Sequence, residues 1–236
     1  MQKINFQSQG QRVEGTLFIP DNKKKNPGVI FFHGSGSSER NYLPVAEALY
    51  QKGFAVLTIN FRGHANLEDL KTVTAYDGVS DGISAYDFFI QQKGVDGERI
   101  GFCGGSFGAL VAVYVSQTSK IKSMLLRAPA LYQEDMMRRH MAETLIKEEK
   151  IFNDMKNVGD TGMIKAISNF TGSLCVVVAE KDQLIPAWLT QAIFDSAKKA
   201  KVKEMKVMKN SLHQMMDPAQ RKELLEIITK WFTENL

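Results

Sequence analysis

The chain has 236 residues, 44% of them hydrophobic, which suits one domain (1–236) with a sizeable core. Its 30 basic and 26 acidic residues leave a net charge of +4, and outside Lys23-Lys24-Lys25 and residues 198–203 the cations are scattered, a solvated surface rather than a nucleic-acid stripe. Cys103 and Cys175 lie in apolar runs and read as small buried hydrophobes, while the absence of a signal core and of any run near the ~20 apolar residues of a bilayer span leads to the expectation of a cytoplasmic protein without membrane contact.

In chain order, residues 4–8 and 12–19 are β-like runs joined through Gly10, a predicted hairpin. After a polar turn at 21–26, short apolar runs at 29–32, 55–60, 99–103, 123–127, 174–179 and 204–208 predict six more strands. Helical patterns at 41–51, 79–91, 109–116 and 188–197 fall between most of these, and a last one follows at 219–232. Within them Val79, Ile83, Tyr86 and Ile90 form one apolar stripe, as do Leu224, Ile228 and Trp231, with Asp217-Pro218 as a helix start. Such alternation predicts an α/β fold whose mostly parallel sheet is covered on both faces. Residues 131–171 break the rhythm. They read either as a crossover helix with an extension or as a small lid, and Met136, Met137, Met141, Met155 and Met163 supply either an adaptable pocket wall or plain core.

The chemistry centres on Gly104-Gly105-Ser106-Phe107-Gly108, a G-x-S-x-G pattern between a predicted strand and a predicted helix. Glycines flanking a sharp bend permit close strand–helix approach and leave Ser106 exposed as a nucleophile. The Phe107 amide then falls in the first helical turn, where unpaired N–H groups favour developing negative charge.

A serine hydroxyl needs a base, and the base needs an orienting group. Catalytic groups in such sheets gather beyond the carboxyl ends of the strands. Of the four histidines, His213 lies in the loop after the last strand, whereas His140 sits among Arg138 and Arg139 as a surface residue. Asp182, after the strand at 174–179, is the candidate orienting acid, with Glu180 its nearest rival. The chain order Ser106, Asp182, His213 is that of α/β-hydrolases. His33-Gly34-Ser35 follows the strand at 29–32, so amides near Ser35 can converge with that of Phe107 on an oxyanion. His33, Gly34, Arg62 and His64 are the candidate substrate-contacting residues, with loop support as the competing role for the side chains.

The segments H-G-S-G, N-F-R-G-H, G-G-S-F-G, E-K-D-Q-L-I-P and S-L-H resemble those of serine hydrolases of the α/β-hydrolase superfamily, nearest the dienelactone-hydrolase-like, cinnamoyl-esterase-like and prolyl-oligopeptidase-like groups. The resemblance runs from about Arg12 onward. It implies an eight-stranded sheet, Ser106 as nucleophile, His213 as base, Asp182 as its orienter, and Ser35 and Phe107 as donors of the oxyanion amides. It further implies a small-molecule acyl ester as partner, with no metal or organic cofactor. Ser106 stands where dienelactone hydrolases proper carry cysteine, and Ala65 follows His64 where glycine is usual. A thioesterase, a peptidase or amidase, and a ligand-binding protein without turnover are the alternative expectations.

Overall fold

The computed structural model describes every residue except Ala65, Leu67, Lys156, Asp160 and Met216, and gives the backbone alone at 148, 149, 151, 153 and 154. The hairpin forms as expected. Strand β1 (Gln2–Ser8) pairs antiparallel with β2 (Gln11–Phe18), with Gln9 and Gly10 both at positive φ in the turn. Strand β2 in turn lies antiparallel to β4 (Ala55–Asn60), and from there the sheet is parallel. The remaining strands are β3 (Asn26–Phe32), β5 (Val95–Gly105), β6 (Ser123–Arg127), β7 (Ser173–Ala179) and β8 (Val202–Met208), in the spatial order β1-β2-β4-β3-β5-β6-β7-β8.

The period of two along each strand divides the core into two layers. Ile30, Phe32, Phe102, Met124, Leu126, Leu174 and Val176 face one side. They pack under α2 (Ala75–Ile90), α3 (Phe107–Val115), α6 (Gly162–Asn169) and α7 (Ala187–Ser196). Val29, Phe31, Cys103, Leu125, Cys175 and Val177 face the other, under α1 (Leu43–Gln51) and α8 (Pro218–Asn235). Both cysteines are free and buried. In α3 every residue but Tyr114 is buried, the pattern of a helix enclosed by sheet and neighbouring helices.

Helix α2 begins at Ala75, four residues ahead of the apolar stripe that marks it in the sequence. The cause is a reciprocal cap: the Thr74 side chain accepts from the Asp77 amide, and the Thr74 amide donates to Asp77 Oδ2 at 2.8 Å. Residues 131–171 fold into α4 (Glu134–Arg138), α5 (Met141–Asp154) and α6, with Lys156 and Asp160 of that span outside the described residues. Met136, Met137, Met141 and Met163 are buried in the first core layer and Met155 packs against it, so these methionines fill core. No helix among the described residues is long and apolar enough to cross a membrane.

Candidate active site

Strands β3 to β8 run parallel, so the loops after their carboxyl ends share one rim of the sheet. Ser106 occupies the bend between β5 and α3 with φ +53° and ψ −118°, a conformation costing an ordinary L-residue about 1–3 kcal/mol. Its amide donates to Arg127 O at 2.9 Å, and its carbonyl accepts from Ala109 and Ala130, so backbone contacts on several sides hold the bend. Glycine is required beneath it: a Cβ at Gly108 would lie 2.0 Å from Phe32 O, and one at Gly104 would lie 2.3 Å from Gly108 O. Two further non-glycine residues with positive φ, Ala128 and Met215, lie in the loops around the same rim.

The candidate acid and base come from the loops after β7 and β8, beyond β6 in the sheet. Asp182 follows β7; its Oδ1 accepts from the Leu184 and Ile185 amides at 2.9 and 2.8 Å, which aims Oδ2 at His213 Nδ1, 2.8 Å away. A carboxylate accepts only, so the imidazole proton sits on Nδ1 and Nε2 is left as an acceptor. Glu180, the rival acid, is spent elsewhere: it accepts from Lys209 Nζ at 2.7 Å and the Asn210 amide at 2.8 Å, and those bonds hold its pKa below the usual value. Ser106 and His213 line one cleft of about 830 Å³, and among the described residues no direct hydrogen bond joins them. Such bonds commonly tighten only when substrate binds.

The loop after β3 closes over Ser106. A Cβ at Gly34 would lie 3.5 Å from Ser106 Cβ, and Ser37 N donates to Gly34 O at 3.2 Å to complete the turn. Gly34, Ser35 and His64 all line the cleft, and the amide of Phe107, next in the chain after the cleft-lining Ser106, opens α3. Ser35 Oγ and His64 Nδ1 are buried with no partner among the described residues.

Two expected substrate contacts are corrected. The ring of His33 is 1% exposed and both its nitrogens are used, Nδ1–H donating to Gly34 O at 2.8 Å and Nε2 accepting from the Phe61 amide at 3.0 Å. Desolvation lowers its pKa to about 4, so it stays neutral and ties β3 to the loop after β4. Arg62 turns away from the cleft, since Asp81 is a fully buried carboxylate and needs a counter-ion. The Arg62 Nε meets Asp81 Oδ1 at 2.7 Å, its amide meets Oδ2 at 2.9 Å, and the guanidinium reaches on to Ser8 and Gln9. His64 does line the cleft, stacked on Phe107 with ring centres 5.2 Å apart, and burial followed by the neighbouring His33 lowers its pKa to about 3.

One residue of the site was not singled out from the sequence. Arg127 ends β6, lines the cleft, and donates from its guanidinium to His213 O at 2.5 Å. Its carbonyl takes the Ser106 amide, so a single residue holds the main chain of both Ser106 and His213. The only sequence signal for it is a cation closing an apolar strand.

The uncharacterized peptidase YuxL of Bacillus subtilis (strain 168) is 25% identical over 251 residues, an alignment that covers 96% of this chain and 38% of YuxL. This chain thus spans well under half the length of that relative. Among solved structures, Est1E from Butyrivibrio proteoclasticus bound to ferulic acid superposes with a TM-score of 0.76 at 16% identity over 98% of each chain. Dipeptidyl peptidase 4 of Porphyromonas gingivalis gives 0.74 at 17% identity, over all of this chain and 35% of its own. The model of the prolyl oligopeptidase family matches residues 42–236, and the chain belongs to that family, among the serine hydrolases of the α/β-hydrolase superfamily.

Proposed function

We propose that the protein hydrolyses carboxylic esters with short-chain or aryl groups through an acyl-enzyme. The observation that carries this reading is the convergence of a strained Ser106, the Gly34-Ser35 loop and the His213–Asp182 pair on one cleft. Ser106 Oγ gives its proton to His213 Nε2 as it attacks the acyl carbonyl, and Asp182 stabilises the imidazolium. The Ser35 and Phe107 amides receive the oxyanion. His213 then protonates the departing alcohol, and water repeats the sequence on the acyl-enzyme to release the acid. Leu145 of α5 lines the cleft, which supports reading 131–171 as its cover. The two free thiols, Cys103 and Cys175, suit a cytoplasmic setting.

Purified protein is expected to hydrolyse p-nitrophenyl acetate or butyrate and to become labelled at Ser106 by a fluorophosphonate. Absence of both activity and label sinks the reading. The family match favours one second reading, cleavage of a peptide or amide by the same residues. Matched p-nitrophenyl ester and p-nitroanilide substrates separate the two.

A further inference from the structure

We propose that the substrate of this cleft carries an anionic group, a carboxylate or a phosphate, close to its scissile acyl bond. The proposal rests on the hydrolase reading of the same cleft and narrows its substrate class.

The charge lining the cleft has one sign. Arg40, Arg127, Arg221 and Lys222 all line it, and among the described residues no aspartate or glutamate does. Two acids close by are engaged elsewhere. Asp182 is turned onto His213, and Glu39, next to Arg40, is buried with its carboxylate on Lys3 Nζ and Thr58 Oγ1, both at 2.6 Å. Arg40, Arg127 and Lys222 make no ion pair among the described residues.

Arg127 contrasts most clearly with the other enclosed charges. The Arg62 side chain, 6% exposed, has Asp81, and Glu39, 4% exposed, has Lys3. The half-buried Arg127 instead has neutral neighbours, the His213 carbonyl and the Tyr42 hydroxyl. A cation desolvated without a counter-charge is costly, and an anionic ligand relieves that cost. The guanidinium also lies close to the reacting centre: a Cβ on Gly105, which precedes Ser106, would approach Arg127 Nη2 to 2.5 Å. Leu184, Leu224 and Ile228 give the same cleft apolar surface. The combination fits a small apolar body ending in a carboxylate or phosphate, and arginine's fork matches either group. A neutral lipid chain would leave Arg127 uncompensated.

The test compares esters that differ in charge and little else. For charge on the alcohol side, kcat/KM is measured for 4-acetoxybenzoate against 4-acetoxybenzamide, with 4-acetoxyphenyl phosphate distinguishing phosphate from carboxylate. For charge on the acyl side, monomethyl succinate is set against dimethyl succinate. At low ionic strength an anionic member is expected to be preferred about tenfold or more, and the preference should shrink at high salt. Arg40 and Lys222 are exposed, so the Arg40→Gln/Lys222→Gln variant should fold, and it is expected to reduce the preference at least about threefold. Equal or better turnover of the neutral member in both pairs overturns the proposal while leaving the ester reading intact, and so does a preference unchanged in the double variant. If no ester is cleaved, the ester reading falls and the charge proposal is decided by calorimetry on Ser106→Ala. There 4-acetamidobenzoate binding about tenfold more tightly than 4-acetamidobenzamide upholds it, and equal binding overturns it.

Discussion

Ser106 lies between two imidazole arrangements that differ in what surrounds them. On one side His33 and His64 stack edge to face with ring centres 5.6 Å apart, enclosed by Phe61 and Phe107, with no carboxylate bonded to either. Burial drives their pKa values to about 4 and about 3, so both stay neutral at any ordinary pH. On the other side His213, also buried but on the cleft wall, donates to a carboxylate that is itself fixed by two amides. Depth alone therefore does not separate a structural histidine from a candidate catalytic one. The partner on Nδ1 does: a carbonyl makes His33 a clamp, whereas a carboxylate suits His213 to the proposed proton transfer.

The largest effect expected from this contrast lies in activity. His213→Ala and Ser106→Ala should each lower kcat by about 10⁴-fold to 10⁶-fold, and the double variant should be little worse than either, because the two groups act as one unit. Asp182→Asn should cost about 10⁴-fold by releasing the imidazole tautomer. Glu180→Gln, which breaks only surface bonds to Lys209 and Asn210, should stay within a few-fold of wild type. Steady-state kinetics on a p-nitrophenyl ester measures all five, and a Glu180 variant as impaired as the Asp182 variant would overturn the assignment of the acid.

For the other pair the effect should appear first in stability. His33→Ala strands the Phe61 amide and the Gly34 carbonyl and opens a cavity beside Phe61, at a cost of about 3 kcal/mol. Denaturant unfolding measures it. A His33→Ala protein as stable as wild type would remove the clamp from the comparison.

How far these roles can be read in the sequence follows from the same logic. The placement of Ser106, Asp182 and His213 on one rim is legible because each lies in a loop or bend after a run that ends at the sheet's carboxyl edge, and the sheet itself is legible because its parallel strands are nearly continuous apolar runs. The start of α2 is less so, since its Thr74–Asp77 cap stands a full turn before the first stripe residue. His33 and Arg62 occupy the same kind of position after a strand as the candidate catalytic groups do. What turns them inward is contact with Phe61 and Asp81, and Asp81 lies on a helix 19 residues away in sequence. Arg127 is the hardest to read. A terminal arginine on an apolar strand looks like an end reaching solvent, and only the return of the chain at His213, 86 residues on, gives it a role.

A smaller effect follows from charge. In the unfolded chain an imidazole titrates near 6.5, whereas in the fold His33 and His64 do so only at about 4 and about 3. Below 6.5 the unfolded state thus binds protons that the folded state refuses. The stability these groups contribute is complete above that pH and is lost as the pH falls toward the folded values, by about 1.4 kcal/mol per pH unit for each imidazole. Between pH 7 and pH 5 the pair should account for roughly 4 kcal/mol of lost stability. Unfolding free energies at the two pH values, compared between wild type and a variant lacking both rings, isolate it from the carboxylates.

The smallest expected effect separates the two members of that pair. His64 Nδ1 is buried with no partner among the described residues, and the ring stacks on Phe107 at 19°, so its contribution at neutral pH is packing against a polar atom left unpaired. His64→Phe keeps the stacking surface and removes the orphaned nitrogen. The melting free energy at pH 7 should therefore change by no more than about 1 kcal/mol in either direction, far less than for His33→Ala. The same substitution should abolish about half of the extra destabilisation between pH 7 and pH 5, because one of the two titrating rings is gone. A loss of several kcal/mol at pH 7 would mean that His64 is held by a polar contact as His33 is, and the two imidazoles would then form one clamp instead of a clamp and a packed ring.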